Sequence, residues 1–350
     1  MSHRSGLVIA CALLSGCSIS AAEPAAKPPI HGLVSMGAYK FVVRGTDPVN
    51  YMDKLDEKPG IFAGIVLLAS WREMEPHPGA EIPENNAIDK ALEEVRAYNR
   101  RNPQKPLAVK LRIWGGYVAP DWAMEIGGPP IHVVHKKPRT LGRFWSPAYR
   151  HAWARFQEKL AARYDREPLI HEVAVTSCMS LTAEPFVLNG GAPAMKRPLE
   201  AAGFTPYHYE QCLHRAIEDY APWKETNIDL PLNPIHMPLG NPKGDHAFTE
   251  QVMHACRQRF GRRCIFDNHN LNDPPIKATV PIYAAMKKMG GPIEFQTGGA
   301  TPKDFEGTIK YGISLGANSI ELYQDFGGFP YVPDQLLRRW ANMLERHPER

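Results

Sequence analysis

No Gly-x-Gly-x-x-Gly segment and no Gly-x-x-x-x-Gly-Lys-Ser/Thr segment occurs in the 350 residues. The chain therefore lacks the backbone cradles that hold dinucleotides and nucleoside triphosphates. No apolar run approaches the roughly 18 residues that cross a bilayer. Charge of one sign is also missing: 41 basic and 37 acidic residues leave a net charge of +4, too little for a nucleic-acid footprint. The basic stretch HKKPRTLGR at 135–143 reads as a solvated loop. The chain has 14 histidines but no His-x-His near its start, and His132 and His135 have no paired carboxylate motif beside them, so no metal site is expected. No motif implies a cofactor.

Cysteine is sparse. Of the six, Cys178, Cys212, Cys256 and Cys264 lie beyond the N-terminal region, an even number compatible with either disulfides or free buried thiols. Among pairings, Cys256 with Cys264 is favoured, because CRQRFGRRC joins a helix end to the strand after it. The first residues, MSHRSGLVIACALLSGCSIS, put one Arg before a short apolar run, as an export leader does. Leu14-Ser15-Gly16-Cys17 resembles the lipobox of bacterial lipoproteins, which implies a lipid on Cys17 and is the chain's one expected link to a membrane. Cleavage after Ala22 is the other reading, since Ser20 and Ala22 are small. Residues 1–22 are thus read as leader, 23–30 as a Pro/Ala-rich spacer, and 31–350 as one domain of a periplasmic or outer-membrane-anchored protein.

That domain alternates strand-like and helix-like segments along its length. The strand-like runs are 31–38, 61–70, 107–114, 170–178, 228–237, 264–270, 292–297 and 319–324. Segments of helical period lie between them, such as Ile88, Leu92, Val95 and Tyr98. Eight such units, without a phosphate-binding turn, predict closure into a (β/α)8 TIM barrel rather than a doubly wound sheet. Three prolines fall within IDLPLNPIHMP (228–238), which makes the fifth run the weakest strand. The longest loops follow the third and fourth strands, on the face where barrel chemistry sits.

At the end of the fourth run the alternation breaks and delivers Glu184 followed by Pro185; on the short seventh strand Glu294 and Gln296 share a face opposite Ile293 and Phe295. Two carboxylates meeting at one rim are what glycoside hydrolysis uses, while a buried Glu294 bonded to Arg112 is the structural alternative. A Glu after strand four and another on strand seven resemble the retaining glycoside hydrolases of clan A. SWREMEPHPG (70–79), Pro120-Asp121-Trp122, RFWSPAYRHAW (143–153) and IEFQTGG with GISLGANSIELYQ resemble segments of their beta-galactosidase-like members. The likeness implies an oligo- or polysaccharide substrate, Glu184 as general acid/base and Glu294 as nucleophile. An ionised Glu294 and an apolar wall would then raise the pKa of Glu184. Glu321 is the reserve carboxylate, and Glu75 is expected to shape the second loop.

Trp71, Trp114, Trp122 and Trp145 fall at or after strands two and three, where aromatic faces can stack on sugars. His236, Asn268, His269, Gln296, Tyr323 and Gln324 are candidate hydrogen-bonding partners. The chain departs from the clan pattern at Ala183, where Asn precedes the acid/base and contacts the sugar 2-hydroxyl. That departure supports the second reading, a lipid-anchored barrel that binds glycans without cleaving them.

Overall fold

The computed structural model describes residues 25–39, 52–187, 191–234, 245–298, 304–322 and 332–346. The strands in chain order are β1 (Gly32–Tyr39), β2 (Phe62–Ser70), β3 (Ala108–Trp114), β4 (Ile131–His135), β5 (Lys137–Leu141), β6 (Ile170–Ala174), β7 (Asn227–Pro231), β8 (Cys264–Leu271), β9 (Ile293–Thr297) and β10 (Ser319–Leu322). Eight of them close a parallel barrel in the order β1-β10-β9-β8-β7-β6-β3-β2, and β4 pairs with β5 as a separate antiparallel hairpin. The fold is a (β/α)8 TIM barrel.

The helices are α1 (Met52–Asp56), α2 (Trp71–Met74), α3 (Ala87–Arg101), α4 (Asp121–Glu125), α5 (Pro147–Tyr164), α6 (Pro193–Ala201), α7 (Pro206–Glu218), α8 (His246–Phe260), α9 (Val280–Met289), α10 (Phe305–Leu315) and α11 (Asp334–Glu345). Their starts follow local chemistry. Asn86, Ser146, Thr205, Asp245 and Asp304 each accept a backbone N–H of the first helical turn, satisfying donors a helix start leaves open. The long loop after β3 is built from α4 and the β4–β5 hairpin, and the loop after β6 contains α6. The fifth barrel strand ends at Pro231, sooner than the expected 228–237. Pro231 and Pro234 remove ladder donors there.

Side-chain alternation divides the molecule into two cores. Outward residues such as Val109, Leu111, Ile113, Ile293 and Phe295 join the cluster beneath the helices. The inward face splits again. On one side Ile30, Val34, Val66, Leu68 and Ala108 pack as an apolar plug. On the other, Lys110, Arg112, Glu172, Asp229, Asp267, Glu294 and Glu321 are all buried. At the N-terminal end of the strands, Lys27 Nζ donates to the carbonyls of Asp165 (2.6 Å), Glu167 (2.9 Å) and Ile170 (2.8 Å). The Ile30 N–H donates to Glu172 at 2.6 Å, closing that end.

Candidate active site at the mouth of the barrel

Glu184 stands on the segment after β6, and that segment is fixed at several points. Tyr209 of α7 donates its hydroxyl to the Pro185 carbonyl at 2.9 Å, and a disulfide joins Cys178 to Cys212 of the same helix. The Tyr117 N–H donates to the Ser180 carbonyl at 3.1 Å. Gly116 makes that approach possible: its φ is +54°, and a Cβ there would lie 2.2 Å from the Ser180 oxygen. With so little freedom left in its loop, the Glu184 side chain is presented in one place.

Both of its oxygens are engaged. Asn233, just past β7, donates Nδ2 to Oε2, and His269 of β8 lies with Nδ1 3.1 Å from Oε1. Asn270 reaches Asn233 in turn, at 3.0 Å. The carboxylate remains 16 % exposed, open toward the mouth. Burial works against its charge, but the His269 cation, Arg112 and the Asn233 bond outweigh burial and lower the pKa of Glu184. This reverses the expectation that Glu184 is held protonated by an ionised Glu294.

Glu294 lies deeper. Its carboxylate is fully buried and bonded to Lys110 Nζ, which also lies 2.9 Å from Glu321, 3.4 Å from Asp229, 3.6 Å from Glu172 and 3.7 Å from Asp267. The structural alternative thus holds for its surroundings, with Lys110 in place of Arg112. Among the described residues no contact joins Glu184 to Glu294, and the chain of contacts between them runs through His269, Asp267 and Lys110. Both glutamates thus belong to one contact network on the inward side of the barrel, with Glu184 partly open and Glu294 fully buried.

The buried carboxyls divide by the direction in which their surroundings shift them. Burial and neighbouring carboxylates raise the pKa of Glu172, and push those of Asp229 and Glu294 well up, despite the opposing ammonium of Lys110. Burial also opposes the charge on Asp267 and Glu321, but Lys110, Arg112 and His269 outweigh it and lower both. The three carboxyls whose charged form is favoured, Glu184, Asp267 and Glu321, lie among three groups whose cationic form is favoured, Lys110, Arg112 and His269. Asp267, His269 and Glu321 offer ligand atoms within 4.8 Å of one another. The positive charge among them belongs to Arg112, whose Nη2 donates to the two Glu321 oxygens at 2.9 and 3.1 Å.

No family model matches the chain, and no curated protein does. Solved structures do. Endo-glycoceramidase II from Rhodococcus sp., as its lactosyl-enzyme intermediate, is 18 % identical over 89 % of this chain and 78 % of its own, with a TM-score of 0.54. The beta-glycosidase BGL167 is 12 % identical over 92 % of this chain and 97 % of its own, with a TM-score of 0.50. The likeness is one of fold.

The remaining candidates divide by position. Gln296 faces inward, one inward position beyond Glu294 along β9, with Oε1 3.4 Å from Arg112 Nη1. Trp114 closes the apolar plug at the end of β3, with Tyr117 packed edge-on 6.1 Å away. Trp71 is fully buried, set edge-on to Trp122, Tyr149 and Trp153 and bonded through Nε1 to Glu75 at 2.9 Å. It is a core residue and cannot stack on a sugar. Trp122 packs on Trp71 and donates to the Glu75 carbonyl, and Trp145 packs on Phe144 and Phe204. Asn268 points away from the mouth: it is buried, with Nδ2 on the Leu232 carbonyl and Oδ1 on the Tyr283 hydroxyl. Cys17, His236, Tyr323 and Gln324 lie outside the described residues. Sequence reasoning missed Asn233, Asn270, Asp267 and Lys110. The available signal was the period of two that puts Lys110 with Arg112, and Asp267 with His269, on one strand face.

Proposed function

We propose that the protein hydrolyses a glycosidic bond of an oligo- or polysaccharide bound across the barrel mouth, with Glu184 as the acid/base. The observation that carries this reading is Glu184 itself: a carboxylate on a pinned loop after the fourth barrel strand, flanked by Asn233 and His269 and open toward the mouth. The beta-glycosidase and the lactosyl-enzyme form of the endoglycoceramidase, which share the fold, support it. A covalent sugar–enzyme species in the latter also supports retention as the stereochemical course. The leader and the disulfides Cys178–Cys212 and Cys256–Cys264 support export to an oxidising compartment, with Cys17 as the lipid attachment point.

Retention requires a second carboxyl about 5 to 5.5 Å from the first. Glu294 is our partner for it, as the nucleophile that takes the anomeric carbon; because its pKa is raised, it must first be ionised, and the Lys110 ammonium bonded to it favours that form. Its seat against Lys110 favours a second reading, a barrel that binds glycans without turnover. A panel of oligosaccharides and polysaccharides, assayed for reducing ends and for binding, separates the two. Hydrolysis predicts sugar release that falls at least about 100-fold in Glu184→Gln, with the fold intact by circular dichroism. Binding with no release from the wild-type protein would establish the second reading instead.

A further inference from the structure

Glu184 in its resting state is ionised, yet a departing sugar oxygen needs a proton. We propose that His269 stores that proton and that Asp267 holds it there, so that Asp267, His269 and Glu184 form a relay opening on the barrel mouth. The inference rests on the reading of Glu184 as proton donor.

The geometry is a line of three side chains. Glu184 Oε1 lies 3.1 Å from His269 Nδ1, and Asp267 Oδ2 lies 3.0 Å from Nε2. An imidazole whose two nitrogens both face carboxylate oxygens donates from both only as the doubly protonated cation. Asp267 and His269 are two apart on β8 and share its inward face, so the strand itself sets their spacing. Two further groups face the ring or its partner. Arg112 of β3 places Nη2 3.2 Å from Nε2, but that nitrogen donates to both oxygens of Glu321 from β10. Lys110 lies 3.7 Å beyond, on Asp267. Burial and Arg112 act against the imidazolium; the carboxylates of Asp267 and Glu184 outweigh them and push the His269 pKa up to about 10. The store is therefore full at neutral pH.

The step balances. As the glycosidic C–O bond breaks, its electron pair leaves with the oxygen, which takes a proton from Glu184. The Nδ1–H bond of His269 breaks as Oε1 takes that proton, leaving a neutral imidazole that keeps Nε2–H on Asp267. The anomeric carbon bonds to the Glu294 carboxylate as the glycosidic oxygen leaves; water then displaces Glu294, its oxygen ending on the carbon and its proton returning through Glu184 to Nδ1. Glu184 and His269 finish as they began.

Imidazole nitrogen resonances of the full chain, labelled with 15N-histidine, test the relay without any substrate, with His269→Gln identifying the signals. Both nitrogens of His269 should be protonated at pH 8. The ring's titration midpoint should fall by more than about one pH unit in Asp267→Asn, and also in Glu184→Gln. A ring that is neutral at pH 8 in the wild-type protein, or a midpoint unmoved in Glu184→Gln, overturns the relay; these two measurements decide even if Asp267→Asn does not fold. A residue that merely braced the loop would leave the ring's charge unchanged. The titration also stands apart from the hydrolase reading, because a protein that releases no sugar can still carry a charged His269.

Discussion

Lys110 is an ammonium with no exposure, set among five carboxyl groups, and its removal would take from Glu172, Asp229 and Glu294 the cation they pair with. Breaking a buried ion pair from one side costs about 3–5 kcal/mol, so Lys110→Met should lose at least that much in urea unfolding at pH 7. The sign of the pH dependence follows from the shifts. Glu172, Asp229 and Glu294 hold protons in the folded state that an unfolded carboxyl gives up near pH 4. Their effect on stability therefore becomes less favourable as pH rises above that value. The raised pKa of Lys110 has the same sign but acts at alkaline pH: its contribution is present below the unfolded lysine value and is lost as pH rises through the folded one. Lys110 itself does not titrate near neutrality, so the carboxyl trend governs there, and Lys110→Met should be more stable at pH 5 than at pH 8. Glu184 was legible in the sequence because strand alternation fails there. Lys110 was not, because a lysine on an apolar strand reads as a solvated residue until closure places that face inside.

At the level of elements, the two long loops act as one wall because the backbone at Gly116 meets the backbone at Ser180. Gly116→Ala would need an alanine at φ +54° with its Cβ 2.2 Å from a carbonyl oxygen. The expected result is a loss of more than about 1 kcal/mol by thermal unfolding, together with weaker binding or turnover of whichever glycan the panel identifies. The eight barrel strands were readable from their apolar faces, including the opposed faces of β9. The hairpin β4–β5 was not, since its residues are the basic stretch 135–143 and the few before it, whose composition resembles a solvated loop. The early end of β7 was foreshadowed by its prolines, and only its length differed.

Over the whole molecule, the two disulfides constrain different spans. Cys178 and Cys212 are 34 residues apart and enclose Glu184, whereas Cys256 and Cys264 are 8 apart. Loop-closure entropy assigns about 4 kcal/mol to the first and about 2.5 kcal/mol to the second. The paired Cys178→Ser/Cys212→Ser variant should therefore melt lower than Cys256→Ser/Cys264→Ser. It should also bind or turn over glycan less well at temperatures where both remain folded. The short bridge was visible from spacing alone; the long one depends on α7 returning beneath the β6 loop, which no local pattern announces. Lys27 adds a directional consequence. It clasps the pole of the cylinder opposite Glu184, so the polypeptide enters from behind. A tether fastened upstream would moor the molecule by its base and turn its open end outward, to meet large, slowly diffusing chains from the surroundings.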